Sequence, residues 1–248
     1  MLPTISIAAP AYREGGHLRG LVEGWLAYLQ PRFLPGDYEI VICDDGSPDD
    51  TGAVLDALAR AHPAVKPCRH ASNQGAAAAL ASAIAHTSKD WVLLLDSDGQ
   101  YPIENLEAFS RAAEREPAFA YIGFRRRKVD SIFARFGSWA SGACCNFFHG
   151  TRYRDFNCAL KLVAGPLVRD LGLEAKGLNY STEISSRLLE RGVAMREVEA
   201  IHHPRASGRS SRTLLRGSLH RLLFVLYIGG RQLLLRGGVL RRRPYPCP

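Results

Sequence analysis

WVLLLDSDGQ, residues 91–100, is an unbroken apolar run closed by two carboxylates one residue apart. A run so short and so apolar, stopped by a glycine turn, reads as a strand covered on both faces. Ile40-Val41-Ile42-Cys43 repeats the pattern and also closes on acids, Asp44-Asp45. In open α/β sheets ligands bind in the crevice outside the carboxyl ends of the strands. The two acidic clusters are therefore expected to face one crevice.

Working outward, β-rich runs at Ile5–Ala9, Tyr38–Cys43, Val65–His70, Trp91–Leu95 and Phe119–Phe124 alternate with helical patterns at about 16–29, 50–61, 75–86 and 104–116. This alternation predicts an α/β fold, a mostly parallel central sheet with helices on both faces. Beyond residue 125 the pattern loosens. A helix is expected over about 129–149, a strand over 158–163, a helix over 181–191 and a strand over 193–201. A Gly/Ser/Arg loop from Pro204 to Arg212 then leads to an amphipathic helix over about 213–235. The expected division is one domain over residues 1–212, whose two halves, at about 1–124 and about 125–212, part where the pattern loosens. A basic amphipathic helix and tail follow over 213–248.

The 248 residues are 46% hydrophobic and 23% charged, which excludes a disordered chain and suffices for a full core. Six cysteines without a CxxC pair make neither a disulfide framework nor a zinc site, and read as reduced thiols in a cytoplasmic protein. A strand-like TISIAAP begins at Thr4 without a signal-type segment before it, and the longest apolar run near the carboxyl end is seven residues, Leu222 to Ile228. Neither secretion nor a membrane span is expected.

Charge divides the chain. Residues 1–120 carry 9 Lys/Arg against 16 Asp/Glu, residues 121–248 carry 23 against 8, and the last 48 residues hold ten Arg and no acid. An acidic half suits a metal and a basic half suits an anionic partner: a phosphorylated substrate, lipid headgroups or nucleic acid. Aromatics are sparse in the Arg-rich tail and no nucleic-acid motif occurs, which argues against nucleic acid.

Asp96 and Asp98 can share a hard cation, Mg²⁺ or Mn²⁺, with Gln100 as a further oxygen ligand. Such a cation bridges diphosphate oxygens and stabilises a nucleotide leaving group; a plain polar turn is the alternative. In Asp44-Asp45-Gly46-Ser47-Pro48-Asp49-Asp50-Thr51, Asp49 or Asp50 is expected to cap a helix. Asp44 and Asp45 have no evident local structural duty, and an acid there suits a nucleoside's base or ribose. After the first strand, Tyr12 can stack on a base and Glu14 can cap or bind ribose. Arg and Ser around Gly208 are what an anion clamp needs, planar forks and hydroxyls on a flexible backbone. An apolar helix face rimmed by Arg212, Arg216, Arg221, Arg231 and Arg236 suits an anionic interface; packing on its own domain or on a dimer partner is the alternative.

PAYRE after the first strand, DDGSPDDT after the second, Asn73-Gln74-Gly75 before an alanine-rich helix, and DSDGQYP after the fourth occur in that order. Together, over roughly residues 4–212, they resemble the inverting family 2 glycosyltransferases of GT-A fold, and DSDGQYPIENL is similar to the run in the dolichyl- and polyprenyl-phosphate sugar transferase (dolichol phosphate mannose synthase-like) branch. The resemblance implies a nucleotide-sugar donor, UDP- or GDP-linked, a polyprenyl phosphate acceptor and Mg²⁺ or Mn²⁺. It makes about 1–124 the donor and metal half and about 125–212 the acceptor half, and it places Pro10, Tyr12, Glu14, Asp45, Asn73, Asp96, Arg205 and Ser210 on the donor, and Asp96, Asp98 and Gln100 on the metal.

Gly123-Phe124-Arg125 resembles the G-x-R whose arginine faces the acceptor phosphate. Asp155 to Lys161 resembles the segment whose aspartate lies near the acceptor, and Arg205 to Ser210 the loop over the donor diphosphate. Three positions depart from the family pattern: Arg13 replaces its usual Asn, Ala76 a frequent basic residue, and Ser211 the loop's usual Lys. An ionised lipid phosphate needs cations to position it rather than a base, which suits Arg125 with Arg126 and Arg127. A hydroxyl acceptor would instead need a base, Asp155 or Glu183. Asp98, Arg125, Asp155 and Glu183 are thus the catalytic candidates, in an enzyme peripheral to the cytoplasmic membrane face.

Overall fold

A computed structural model describes residues 2–126, 132–174, 179–204, 214–240 and 245. Strands β1 (Ile5–Ala11), β2 (Tyr38–Asp44), β3 (Val65–Arg69), β4 (Trp91–Leu94), β5 (Ala120–Phe124), β6 (Lys161–Ala164) and β7 (Arg196–Glu199) make one sheet ordered β3-β2-β1-β4-β6-β5-β7. All pairings are parallel except those of β6, which runs against β4 and β5. Among the described residues the helices are α1 (Gly15–Leu29), α2 (Thr51–Ala61), α3 (Ala76–Ala85), α4 (Asn105–Arg115), α5 (Ile132–His149), α6 (Gly165–Arg169), α7 (Tyr180–Glu190) and α8 (Leu214–Arg236).

Both faces of the central strands are covered, as the apolar runs require: all of β1 is buried, and so is β2 from Glu39 onward. Helix α1 buries Leu18, Val22, Trp25, Leu26 and Leu29, the spacing of one helical face. The chain steps from β1 outward through β2 to β3, then returns to place β4 on the other side of β1. That reversal opens the crevice at the carboxyl ends of β1, β2 and β4.

The α/β reading of the sequence holds, and its first five strands lie within about two residues of those observed. Three local features differ. Residues 158–160 lead into the strand rather than form it, so β6 starts at Lys161; β7 occupies only Arg196–Glu199 of the expected 193–201; and α6, led by Pro166 near its first position, is a short helix that periodicity over five residues does not reveal.

Helix α8 settles on its own chain. Val225 joins Cys145 and Phe156 in a small second core, and a Cβ at Gly229 would lie 2.6 Å from the Phe148 ring, so the tip of that ring on α5 rests directly on the α8 backbone. Arg231 Nε donates to both Glu190 oxygens at 3.0 and 2.9 Å, and Tyr227 donates to Glu174 Oε2 at 3.1 Å. Leu223, Leu226, Leu233 and Leu234, on the other side of α8, stay exposed. Among the described residues no helix is long and apolar enough to cross a membrane.

At the amino end of the sheet, Glu39 is buried yet fully served. Ser6 Oγ donates at 2.7 Å, and Lys66 Nζ and the Ser88 amide and hydroxyl donate as well. Burial pushes its carboxyl up, but these bonds outweigh burial and hold it below the usual carboxylate range. A depressed folded value means stability present above the unfolded value, about 4.3, and lost as pH falls through the folded one. Glu39→Gln is therefore expected to cost about 2 kcal/mol at pH 7, by urea unfolding, with the gap closing below pH 4. A gap constant down to pH 3 would exclude the charge as its source.

Candidate active site

Three loops meet at the crevice because each binds the backbone of another. The Arg13 amide donates to Ser47 Oγ at 3.0 Å and the Glu14 amide to Thr51 Oγ1 at 3.0 Å, joining the loop after β1 to the loop after β2. Ser97 Oγ donates to Pro10 O at 2.7 Å, and Ser97 O lies 2.9 Å from His17 Nε2, which joins the loop after β4 to both ends of the first loop. Pro10 is buried in β1, so its link to the crevice runs through Ser97. Tyr12 is exposed, with the Arg13 guanidinium 5.3 Å from its ring centre.

Asp44 and Asp45 do have a structural duty, which corrects the expectation from sequence. Asp44 accepts the Ser47 amide at 2.9 Å and lies 3.2 Å from Arg69 Nε, its neighbour across the β2–β3 register. Asp45 accepts the amides of Gln74 and Gly75 at 2.9 and 2.7 Å, with His70 Nδ1 at 2.8 Å. These donors lie 25 to 30 residues downstream, so no local pattern discloses them. Asp45 thereby fixes the turn that presents Asn73. Of the two capping candidates, Asp49 takes the Thr51 amide and hydroxyl, while Asp50 stands at the N-cap position without a side-chain cap bond.

Asp96 follows β4, and Tyr180, the first residue of α7, donates its hydroxyl to Asp96 Oδ1. Asp98 is buried and accepts the Gln100 amide at 3.1 Å. Gln100 Nε2 donates to His203 O at 3.4 Å, leaving the side-chain oxygen as its acceptor. Among the described residues no group of three or more His, Cys, Asp or Glu could hold a metal. Two carboxylates and one carboxamide oxygen nevertheless form a hard, oxygen-only set. That set fits Mg²⁺ or Mn²⁺ when phosphate oxygens complete the shell.

On the other side of β4, Arg125 pairs with Asp155 through two bonds, Nε to Oδ2 at 2.7 Å and Nη2 to Oδ1 at 3.3 Å. Burial opposes the guanidinium charge, but the bonds from Asp155 outweigh it and raise the arginine's proton affinity. Lys161 is fully buried and donates to Cys158 O and to Ser181 Oγ at 2.8 Å. Burial pushes its ammonium down to about 8, against the fields of Cys158, Asp155 and Asp96. Glu183 is also buried, where it accepts the Glu174 amide at 2.8 Å and the Arg187 guanidinium at 3.2 and 3.3 Å.

The structure thus gathers Pro10, Tyr12, Glu14, Asp45, Asp96, Asp98 and Gln100 on stitched loops, and sets Arg125 and Asp155 as a pair. Glu183 sits in an ion-paired cluster with Arg187. Arg205, Ser210 and Arg127 lie outside the described residues. Sequence reasoning assigned no role to Lys161, Tyr180 or His70. For Lys161 a signal exists: a cation between Leu160 and Leu162 at the start of a buried strand.

Arg13 has φ of 58°, the only positive value among the described non-glycine residues. That left-handed region costs most L residues about 1–2 kcal/mol, while Asn and Gly adopt it readily. Arg13→Asn and Arg13→Gly are each expected to raise the melting temperature by about 1–3 °C; a fall in both would show that the guanidinium contact with Tyr12 outweighs the strain.

Comparison with known proteins gives these features a context. Residues 6–166 match the model of Glycosyl transferase family 2. The undecaprenyl-phosphate 4-deoxy-4-formamido-L-arabinose transferase of Sodalis glossinidius (strain morsitans) is 27% identical over 219 residues, covering 86% of this chain and 64% of the relative. A dolichyl-phosphate beta-glucosyltransferase of Trichomonas vaginalis is 27% identical over 109 residues, 43% of this chain and 32% of that one. The chain thus spans less than two thirds of the length of these relatives. Among solved structures, glucosyl-3-phosphoglycerate synthase from Mycobacterium tuberculosis in complex with Mn²⁺, uridine-diphosphate and phosphoglyceric acid aligns over 92% of this chain and 79% of that one, at TM-score 0.68 and 18% identity. The two share the GT-A fold.

Proposed function

The chain belongs to glycosyl transferase family 2, and from that premise we propose that it moves a sugar, with inversion, from a UDP- or GDP-linked donor to a polyprenyl phosphate. Asp96, Asp98 and Gln100 would hold Mg²⁺ or Mn²⁺, which when bound neutralises the diphosphate and stabilises the leaving nucleotide. Tyr12 stacks on the base. Asp45 fixes the Asn73 turn beside the donor, and Glu14 and Pro10 keep the first loop against the other two. Arg205 and Ser210 supply the clamp over the diphosphate.

The observation that carries the acceptor assignment is the pairing of Arg125 with Asp155. Both Asp155 oxygens accept from a guanidinium, and Glu183 serves the Glu174 amide and Arg187, so neither carboxylate is arranged to take a proton from a hydroxyl. An ionised phosphate needs no such base. It needs a cation held rigidly, and a fork oriented by Asp155 provides one. The polyprenyl-phosphate transferases among the relatives support the same acceptor class.

The test is transfer of label from a panel of UDP- and GDP-sugars into a short polyprenyl phosphate, read in the organic phase. Metal-dependent label is expected there, lowered at least about 100-fold by Asp98→Asn, with Arg125→Lys raising the acceptor KM about 10-fold because ammonium cannot reproduce the fork. Label that stays in water would move the acceptor to a hydroxyl.

The domain division at about residue 212 and peripheral contact with an anionic membrane belong to the same reading. Exposed Trp139 and Phe147 on α5 and Leu223, Leu226, Leu233 and Leu234 on α8, with an Arg-rich sequence over the last 48 residues, support that contact. Vesicles with phosphatidylglycerol are expected to sediment the protein, and Leu226→Ser with Leu233→Ser to release it. Sedimentation unchanged by the pair would exclude this face.

A further inference from the structure

Asp96 lies on the donor side of the crevice, and the hydroxyl it accepts from comes 84 residues later in the chain, at the first position of α7. Tyr180 is itself buried, and what seats it is visible in the next residue. Ser181 Oγ faces Asn157 O at 3.0 Å and Cys158 O at 2.6 Å, and accepts from Lys161 Nζ at 2.8 Å. The ammonium of Lys161 also donates to Cys158 O. One buried cation therefore ties the start of β6, the turn before it and the first turn of α7 into a single unit.

Burying a lysine is costly, and a methionine or leucine in β6 would fill the space without that cost. A lysine is of use here because its donors reach a carbonyl and a hydroxyl together and hold α7 in one register against the start of β6. That register sets where the Tyr180 hydroxyl falls.

We propose that Tyr180 is a positioning residue for Asp96: its hydroxyl holds Oδ1 so that the carboxylate keeps one orientation toward the cation and the diphosphate, and the Lys161–Ser181 bond keeps the tyrosine in place. The inference rests on the reading that Asp96 and Asp98 hold the metal. It also gives α7, a helix of the acceptor half, a direct mechanical link to the donor's metal site. Groups that orient a ligand carboxylate are worth 10- to 100-fold in metal affinity.

The test is Mn²⁺ binding to the full chain with UDP present, followed by the free-Mn²⁺ electron paramagnetic resonance signal, with melting temperature measured without metal. Tyr180→Phe removes only the hydroxyl. It is expected to weaken Mn²⁺ binding about 10-fold or more and to leave the metal-free melting temperature within about 2 °C. Its transfer rate is expected to recover at high Mn²⁺, which a loss of fold would not allow. Ser181→Ala, which keeps the Tyr180 hydroxyl but loosens its seat, is expected to fall between Tyr180→Phe and the unaltered chain. Affinity in Tyr180→Phe within twofold of the unaltered chain would overturn the positioning role alone. Absence of Mn²⁺ binding by the unaltered chain would overturn the metal-site reading and this inference with it.

Discussion

Because β6 runs against both of its neighbours, its first residue lies beside the last residue of β4 and the middle of β5: Lys161 is in register with Leu94 and with Ile122. The chain before β6 must then cross the carboxyl end of the sheet to reach its starting point. That brings Asp155 to Arg125, which follows β5, and Cys158 to Tyr101, which follows the Asp96–Asp98 turn. A parallel strand at the same place would have put residues 155–160 at the opposite edge, far from every carboxylate of the crevice. Reversing one strand is what joins the acidic and basic halves of the sequence in space.

Charge then sets how the crevice is held. Asp44, Asp45, Asp98 and Asp155 are all buried, and buried carboxylates persist where donors surround them. Asp45 takes two backbone amides, Asp44 an amide and Arg69, Asp155 a guanidinium fork. The same bonds that offset burial also fix the loops, so the cost of organising the crevice is met on folding rather than on binding. Helices α1, α2 and α3 all begin at this edge and carry no acid within their first turns. Their positive dipole ends add to an environment suited to a diphosphate.

How much of this was legible depended on the range of the interaction. Strand and helix placement followed from hydrophobic runs of four to seven residues, and the acids after β2 and β4 followed from where such runs stop. Asp44 and Asp45 were misjudged because all their partners but the Ser47 amide arrive through the β2–β3 pairing and the turn beyond it. The link between Tyr180 and Asp96 left no trace in either local segment, since a tyrosine opening a helix is ordinary. Arg13 was the reverse case: its departure from the Asn that the resemblance implies was plain in the sequence, but the left-handed backbone at this residue appears only as a backbone angle.

The last helix shows why periodicity alone could not place it. Between Leu222 and Leu235 leucines and other apolar residues occur at nearly every angle around the axis, so a single amphipathic face and an internal packing face predict the same composition. Packing separates them. Val225, Ile228, Gln232 and Leu235 turn inward, where Glu190 holds Arg231 and Gln232, while Leu223, Leu226, Leu233 and Leu234 turn out. The inner face needs polar anchors because a leucine-only seam would let the helix slide along α5 or rotate. The outer face carries mostly leucine instead: Leu223, Leu226, Tyr227, Leu233 and Leu234 lie at spacings of three, four and seven residues, a continuous stripe rather than scattered exposure. A stripe of that kind costs solvation in water. The internal contacts and the exposed stripe are thus compatible in one helix: the first fixes α8 to the domain, and so fixes the direction in which the second faces.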